Sequence, residues 1–172
     1  MSDRELLARK LLSAYVDELE VHVAALNEGL LAYERGGATA GDDEMLHALF
    51  RTTHTIKGSS RAAGATLVEQ TSHHFESVLA SLREHRLQPS PALFELLFAV
   101  TDAIAEAGER LRRGEPETGG ALDALSLRLA AAAEPAPNAP RPSADRSIAP
   151  PGVTASPTTL RVAPERIDAI IA

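Results

Sequence analysis

Cysteine and tryptophan are absent from the 172 residues, and aromatic side chains make up only 3%. Without cysteine there is no disulfide, no thiolate metal ligand and no thiol nucleophile, so a metal would depend on histidine and carboxylates. The absence also agrees with a reducing compartment. So few aromatic residues beside abundant alanine and leucine favour helices packed on aliphatic seams over a sheet. Long apolar runs are missing as well, and Met1-Ser2-Asp3-Arg4-Glu5 has neither the basic start nor the apolar stretch of a signal peptide. The chain therefore reads as cytoplasmic, with no membrane insertion. Clusters of positive charge are absent, and a net charge of −7 argues against a nucleic-acid surface.

What is present is a hydrophobic fraction of 44%, enough for one domain with a buried core. Eight of the eleven prolines lie at or beyond Pro135. Residues 134–157, rich in Pro, Ala and Ser, are expected to form a flexible linker, because proline stops helices and little apolar surface is available to bury. Residues 134–172 carry four arginines and four acids, so the whole −7 belongs to residues 1–133. An acidic surface suits a domain that meets other proteins.

Five helices are expected within 1–133. The first opens at Ser2, with Glu5 completing a capping box, and carries Leu12, Val16, Leu19, Val23, Leu26, Leu30 and Tyr33 at alternating spacings of four and three. Gly36 and Gly37 close it. Asp42, Asp43 and Glu44 suit the start of a second helix running to about Ala63, where Gly64 fits a left-handed stop. Thr66 to Glu69 reads as a capping box for a third helix, which carries Leu67, Thr71, Phe75, Val78 and Leu82 inward and ends near His85. So short a connection makes helices two and three an antiparallel hairpin. Ser90 as N-cap with Pro91 behind it starts a fourth helix, whose seam is Leu93, Leu97, Val100, Ile104, Ala107 and Leu111. After a breaker segment from Gly114 to Gly120, Leu122, Leu125 and Leu129 mark a fifth. The expected fold is an all-α, up-and-down four-helix bundle with a fifth C-terminal helix.

The second helix holds the chemistry. In Phe50-Arg51-Thr52-Thr53-His54-Thr55-Ile56-Lys57-Gly58, positions 50, 54, 57, 58 and 61 lie along one stripe. A glycine inside a helix costs about 1 kcal/mol relative to alanine. That cost has a purpose if something bulky must approach His54 past the bare turn at Gly58. A neutral imidazole is a nucleophile, and Lys57 beside it offsets charge on phosphoryl oxygens. Lys57 is one of only two lysines, against fifteen arginines, which favours a specific role.

His54, Lys57, Gly58 and Gly64, in their Phe-Arg-x-x-His-x-x-Lys-Gly setting, resemble histidine phosphotransfer domains, particularly the N-terminal one of CheA-type chemotaxis kinases. The resemblance covers roughly residues 1–133. It implies a helical bundle whose exposed histidine accepts phosphate from a kinase catalytic domain and passes it to an aspartate of a CheY-like response regulator receiver domain. It also places a histidine and a glutamate on helix three facing the phosphorylated histidine, and His73 and Glu76 occupy those positions. A carboxylate accepting from Nδ1–H fixes the tautomer with Nε2 free to attack, so Glu76 is the candidate for orienting His54. His73 either touches the phosphoryl group or lines the face.

His22, His47, His74 and His85 are expected to be uninvolved, although His47 lies two turns below His54, at the border of a partner footprint. No His-Glu-x-x-His occurs, and neighbouring histidines on a helix point in different directions, so no metal is expected. No cofactor is expected in this chain either; ATP and Mg²⁺ would be used by partner domains. Residues 158–172, from Thr158 to Ala172, resemble the start of the dimerisation segment of CheA-type kinases. They imply that the chain is the N-terminal part of a larger kinase, with a monomeric domain inside a dimeric protein. The alternative reading is a helical interaction or scaffold module with the same fold and no phosphoryl traffic.

Overall fold

The computed structural model describes residues 2–36 and 42–133. The expected linker and tail, 134–157 and 158–172, lie outside them. Five helices run in order: α1 (Asp3–Gly36), α2 (Asp42–Ala63), α3 (Thr66–Arg83), α4 (Pro91–Arg112) and α5 (Ala121–Ala133). The expected all-α architecture is present, and among the described residues there is no strand.

The leucine and valine seams do what their spacing predicts. Leu19, Leu26 and Leu30 of α1, Ile56 of α2, Phe75 and Leu79 of α3, Leu97 and Ile104 of α4, and Leu122 and Leu129 of α5 are almost fully buried in one shared core. Helix α1 packs on α2 and α4, and α3 packs on α2 and α5. Helix α5 sits between α3 and α4, which touch each other only slightly, so the fifth helix completes the ring. Among the described residues no helix is long and apolar enough to cross a membrane.

Of the predicted helix-end signals, those at Ser2–Glu5, Ser90–Pro91 and Gly64 follow local chemistry. Glu5 Oε2 accepts from the Ser2 backbone N–H at 2.7 Å while Ser2 Oγ accepts from the Glu5 N–H at 3.3 Å, a reciprocal capping box. Ser90 Oγ accepts from the Leu93 N–H, with Pro91 opening the helix. Gly64 adopts φ +77°, a left-handed conformation costly to any side chain, and so reverses the chain between α2 and α3.

The signal at Thr66–Glu69 is overturned. Thr66 is already inside α3, Ala65 is the capping residue and no side chain of the expected Thr66–Glu69 box caps the helix. Glu69 is drawn to Arg61 on α2, whose Nε donates to it at 2.7 Å. The free amides at the start of α3 are met instead by Glu117 from the α4–α5 connection. Its Oε1 accepts from the Leu67 N–H at 2.8 Å and its Oε2 from the Val68 N–H at 3.3 Å. A carboxylate there satisfies orphan donors and opposes the positive end of the helix dipole.

Polar groups inside the bundle are paired: among the described residues no buried side-chain nitrogen or oxygen lacks a hydrogen-bond partner. The Tyr15 hydroxyl meets Ser60 Oγ at 2.8 Å, tying α1 to α2. Burial, with a smaller contribution from the Glu117 charge, pushes the Tyr15 phenol up to about 12 against the opposing pull of the Ser60 bond.

Candidate functional site

The α2–α3 hairpin brings His54 and Glu76 together although 22 residues separate them. Glu76 Oε1 lies 2.9 Å from His54 Nδ1 and Oε2 lies 2.5 Å from Lys57 Nζ. Burial divides the roles. The Glu76 side chain is only 8% exposed, while that of His54 is 65% exposed. An ionised carboxylate only accepts hydrogen bonds, so it selects the neutral tautomer with the proton on Nδ1 and leaves the Nε2 lone pair free. One end of the ring is held by Glu76, and the ring as a whole is left largely exposed.

Lys57 differs from the simplest expectation. Its side chain is 25% exposed and its ammonium is bonded to Glu76 instead of standing open to solvent. The reason is electrostatic: a nearly buried carboxylate is costly unless both oxygens are compensated, and an imidazole N–H on one oxygen leaves the other for a cation.

Phe50, one turn before His54, stacks on the imidazole, with ring centroids 6.4 Å apart and planes 13° from parallel. Histidine side chains on a helix lean toward its N-terminus, so the ring lies over the turn that carries Phe50 and Arg51. On the opposite side, a methyl group built on Gly58 would meet nothing within 4 Å. The bare turn is therefore not a packing device. It leaves open space along the exposed stripe of α2.

His73 is exposed one turn before Glu76 on α3, with no hydrogen bond to His54. Its ring stacks on His74 at 6.1 Å and 17° from parallel, although adjacent helical positions were expected to diverge. Flexible χ angles let the two rings meet from directions about 100° apart. Burial and then the charge of His73 push the His74 imidazole below the ordinary histidine value. Among the described residues no cluster of His, Cys, Asp or Glu has the arrangement of a metal site.

Hydroxyl groups crowd α2, and apart from Ser60, which meets Tyr15, their hydrogens are spent on the helix itself. Thr52, Thr53 and Thr55 donate to the carbonyls of Ala48, Leu49 and Arg51, and Ser59 donates to that of Thr55. Two parts of the arrangement had no signal in the residue pattern: the stacking role of Phe50, which only the ring's lean reveals, and the occupation of Lys57 by Glu76.

The Hpt domain family matches residues 10–134. The chemotaxis protein CheA of Cereibacter sphaeroides is 35% identical over 121 residues, which are 70% of this chain and 18% of that protein. CheA of Rhizobium meliloti (strain 1021) is 31% identical over 136 residues, 79% of this chain and 17% of that protein. This chain thus spans less than a fifth of the length of these curated relatives. Among solved structures, the phosphorylated P1 domain of CheA3 in complex with CheY6 from R. sphaeroides has a TM-score of 0.62 and 25% identity. The likeness covers 73% of this chain and 96% of that one. Since the family match takes in most of α1 and all of α2 to α5, including the His54–Glu76 pair, the chain belongs to the Hpt domain family.

Proposed function

We propose that this domain carries a phosphoryl group on Nε2 of His54, received from ATP held by a separate kinase catalytic domain and passed to an aspartate of a CheY-like receiver domain. The observation that carries this reading is the single imidazole that is 65% exposed yet fixed at Nδ1 by a carboxylate only 8% exposed. The solved relative, a phosphorylated P1 domain bound to CheY6, supports the choice of partner. The CheA relatives, less than a fifth of whose length this chain spans, support a setting within a larger chemotaxis protein.

In the forward step the Nε2 lone pair forms a bond to the γ-phosphorus as the bond from that phosphorus to its bridging oxygen breaks. The electron pair leaves with ADP. The ring becomes an imidazolium whose Nδ1–H is donated to Glu76, so the carboxylate offsets the charge that appears during attack. Lys57 holds Glu76 in place, Gly58 keeps the approach open, and His73 lines the edge of the same face. Transfer to the receiver reverses the bond changes at Nε2, with Mg²⁺ supplied at the receiver's own site. The domain contributes position and electrostatics, and its partners contribute nucleotide and metal. A pure scaffold would give no reason for tethering an exposed imidazole to a nearly buried carboxylate.

The test is incubation with radiolabelled ATP and a CheA-type catalytic domain, followed by acid. The expected label is lost in acid, as phosphohistidine is, and is absent from His54→Gln although its thermal melt matches the wild type. An acid-stable label, or labelling that persists in His54→Gln, contradicts the assignment.

A further inference from the structure

We propose that Arg51 is a further contact residue for the phosphoryl group on His54, gripping its oxygens from the turn below while Lys57 stays on Glu76. This rests on the reading of His54 as the phosphoacceptor.

A phosphoryl group on Nε2 brings two negative charges to a domain whose net charge is −7. Helix α2 offers three permanent cations, and two are engaged. Lys57 cannot leave without uncovering one oxygen of a carboxylate that is 8% exposed. Arg61 is paired with Glu69 and lies two turns beyond His54. Arg51 is exposed, and among the described residues its guanidinium has neither an ion-pair nor a hydrogen-bond partner.

Position agrees with availability. Arg51 stands three residues before His54, so the two side chains are neighbours on the helix surface. The stacking of the imidazole on Phe50 shows that the ring leans back over the turn from which Arg51 projects. One turn rises about 5.4 Å, a distance an extended arginine spans. A planar guanidinium donates two parallel N–H bonds to a phosphoryl group, and with no present partner it breaks no contact among the described residues to do so.

The test compares wild type, Arg51→Gln, Arg51→Lys and Arg61→Gln, using two phosphoryl donors. One is ATP with the kinase catalytic domain; the other is potassium phosphoramidate, which needs no protein partner. Arg51→Gln is expected to lower the initial rate by about tenfold with both donors, Arg51→Lys to recover part of it, and Arg61→Gln to change little. The ³¹P resonance of the phosphohistidine is expected to move in Arg51→Gln and not in Arg61→Gln. An unmoved resonance, with phosphoramidate rates within about twofold of wild type, overturns the proposal, whether or not the kinase-dependent rate falls. A wild type that neither donor labels overturns the reading of His54 itself, an outcome distinct from failure of Arg51 alone.

Discussion

Replacing Glu76 by glutamine keeps the shape of the side chain and removes its charge, and therefore isolates what the carboxylate does. In the wild type it accepts from His54 Nδ1 at 2.9 Å and from Lys57 at 2.5 Å. Phosphorylation puts positive charge on the imidazole, so the His54 bond becomes charge-assisted on both sides. Hydrogen bonds to charged groups contribute about 1.5–3 kcal/mol and neutral ones about 0.5–1.5 kcal/mol. The difference, about 1–2 kcal/mol, corresponds to a phosphorylation rate about 5- to 30-fold lower. A second effect acts in the same direction. A glutamine amide can turn its NH₂ toward Nδ1, which favours the tautomer protonated on Nε2 and removes the attacking lone pair. Folding is affected less, because Lys57 can turn its ammonium to water and the neutral amide leaves no unpaired buried charge. Thermal stability is expected to stay within about 1 kcal/mol of wild type. Initial rates with a kinase catalytic domain and ATP give the first readout, and ¹⁵N NMR of the neutral imidazole gives the tautomer. A rate within about twofold of wild type, with the Nδ1–H tautomer intact, would refute the reasoning.

Three further predictions rest on particular contacts. Gly58→Ala is expected to raise stability by about 0.5–1 kcal/mol, since the new methyl meets nothing in the domain. Gly58→Leu should melt no lower than the wild type yet be phosphorylated more slowly by the kinase; an unchanged rate would mean the open turn is not an approach path. Glu117→Ala exposes two amides at the start of α3 and should cost about 1–2 kcal/mol in denaturant unfolding, with Glu117→Gln costing less. For Tyr15, the phenol ionises near 10 when unfolded and near 12 when folded. The neutral form is favoured by folding, so its contribution is intact below pH 10 and is lost as pH rises toward 12. Tyr15→Phe should flatten that alkaline slope in melting temperature, and an unchanged slope would remove Tyr15 as its source.

Features carried by local periodicity were legible in the residues. The four-and-three seams, the Ser2–Glu5 box, the Ser90–Pro91 start and the Gly64 stop depend on neighbours a few positions apart, and each has its expected form. The pairing of His54 with Glu76 was also within reach, because a two-residue connection between α2 and α3 fixes which faces of the hairpin meet. What was not legible depends on competition between distant groups. Glu69 was as good a capping partner as any glutamate until Arg61 came within 2.7 Å of it. Nothing near Thr66 indicates that Glu117, 50 residues from Leu67, takes over the cap. Lys57 reads as a cation for phosphate because its partner's burial is invisible in one dimension, and Arg51 reads as an ordinary solvated arginine for the same reason.

The central claim is that Nε2 of His54 bears the phosphoryl group. The direct measurement is a ³¹P–¹⁵N correlated NMR spectrum of the protein labelled with ¹⁵N in its histidine rings and phosphorylated by kinase and ATP. A single phosphorus coupled to Nε2 of His54, with Nδ1 still protonated against Glu76, is the predicted result. Phosphorus coupled to Nδ1, coupled to another of the six histidines, or coupled to no nitrogen would contradict it.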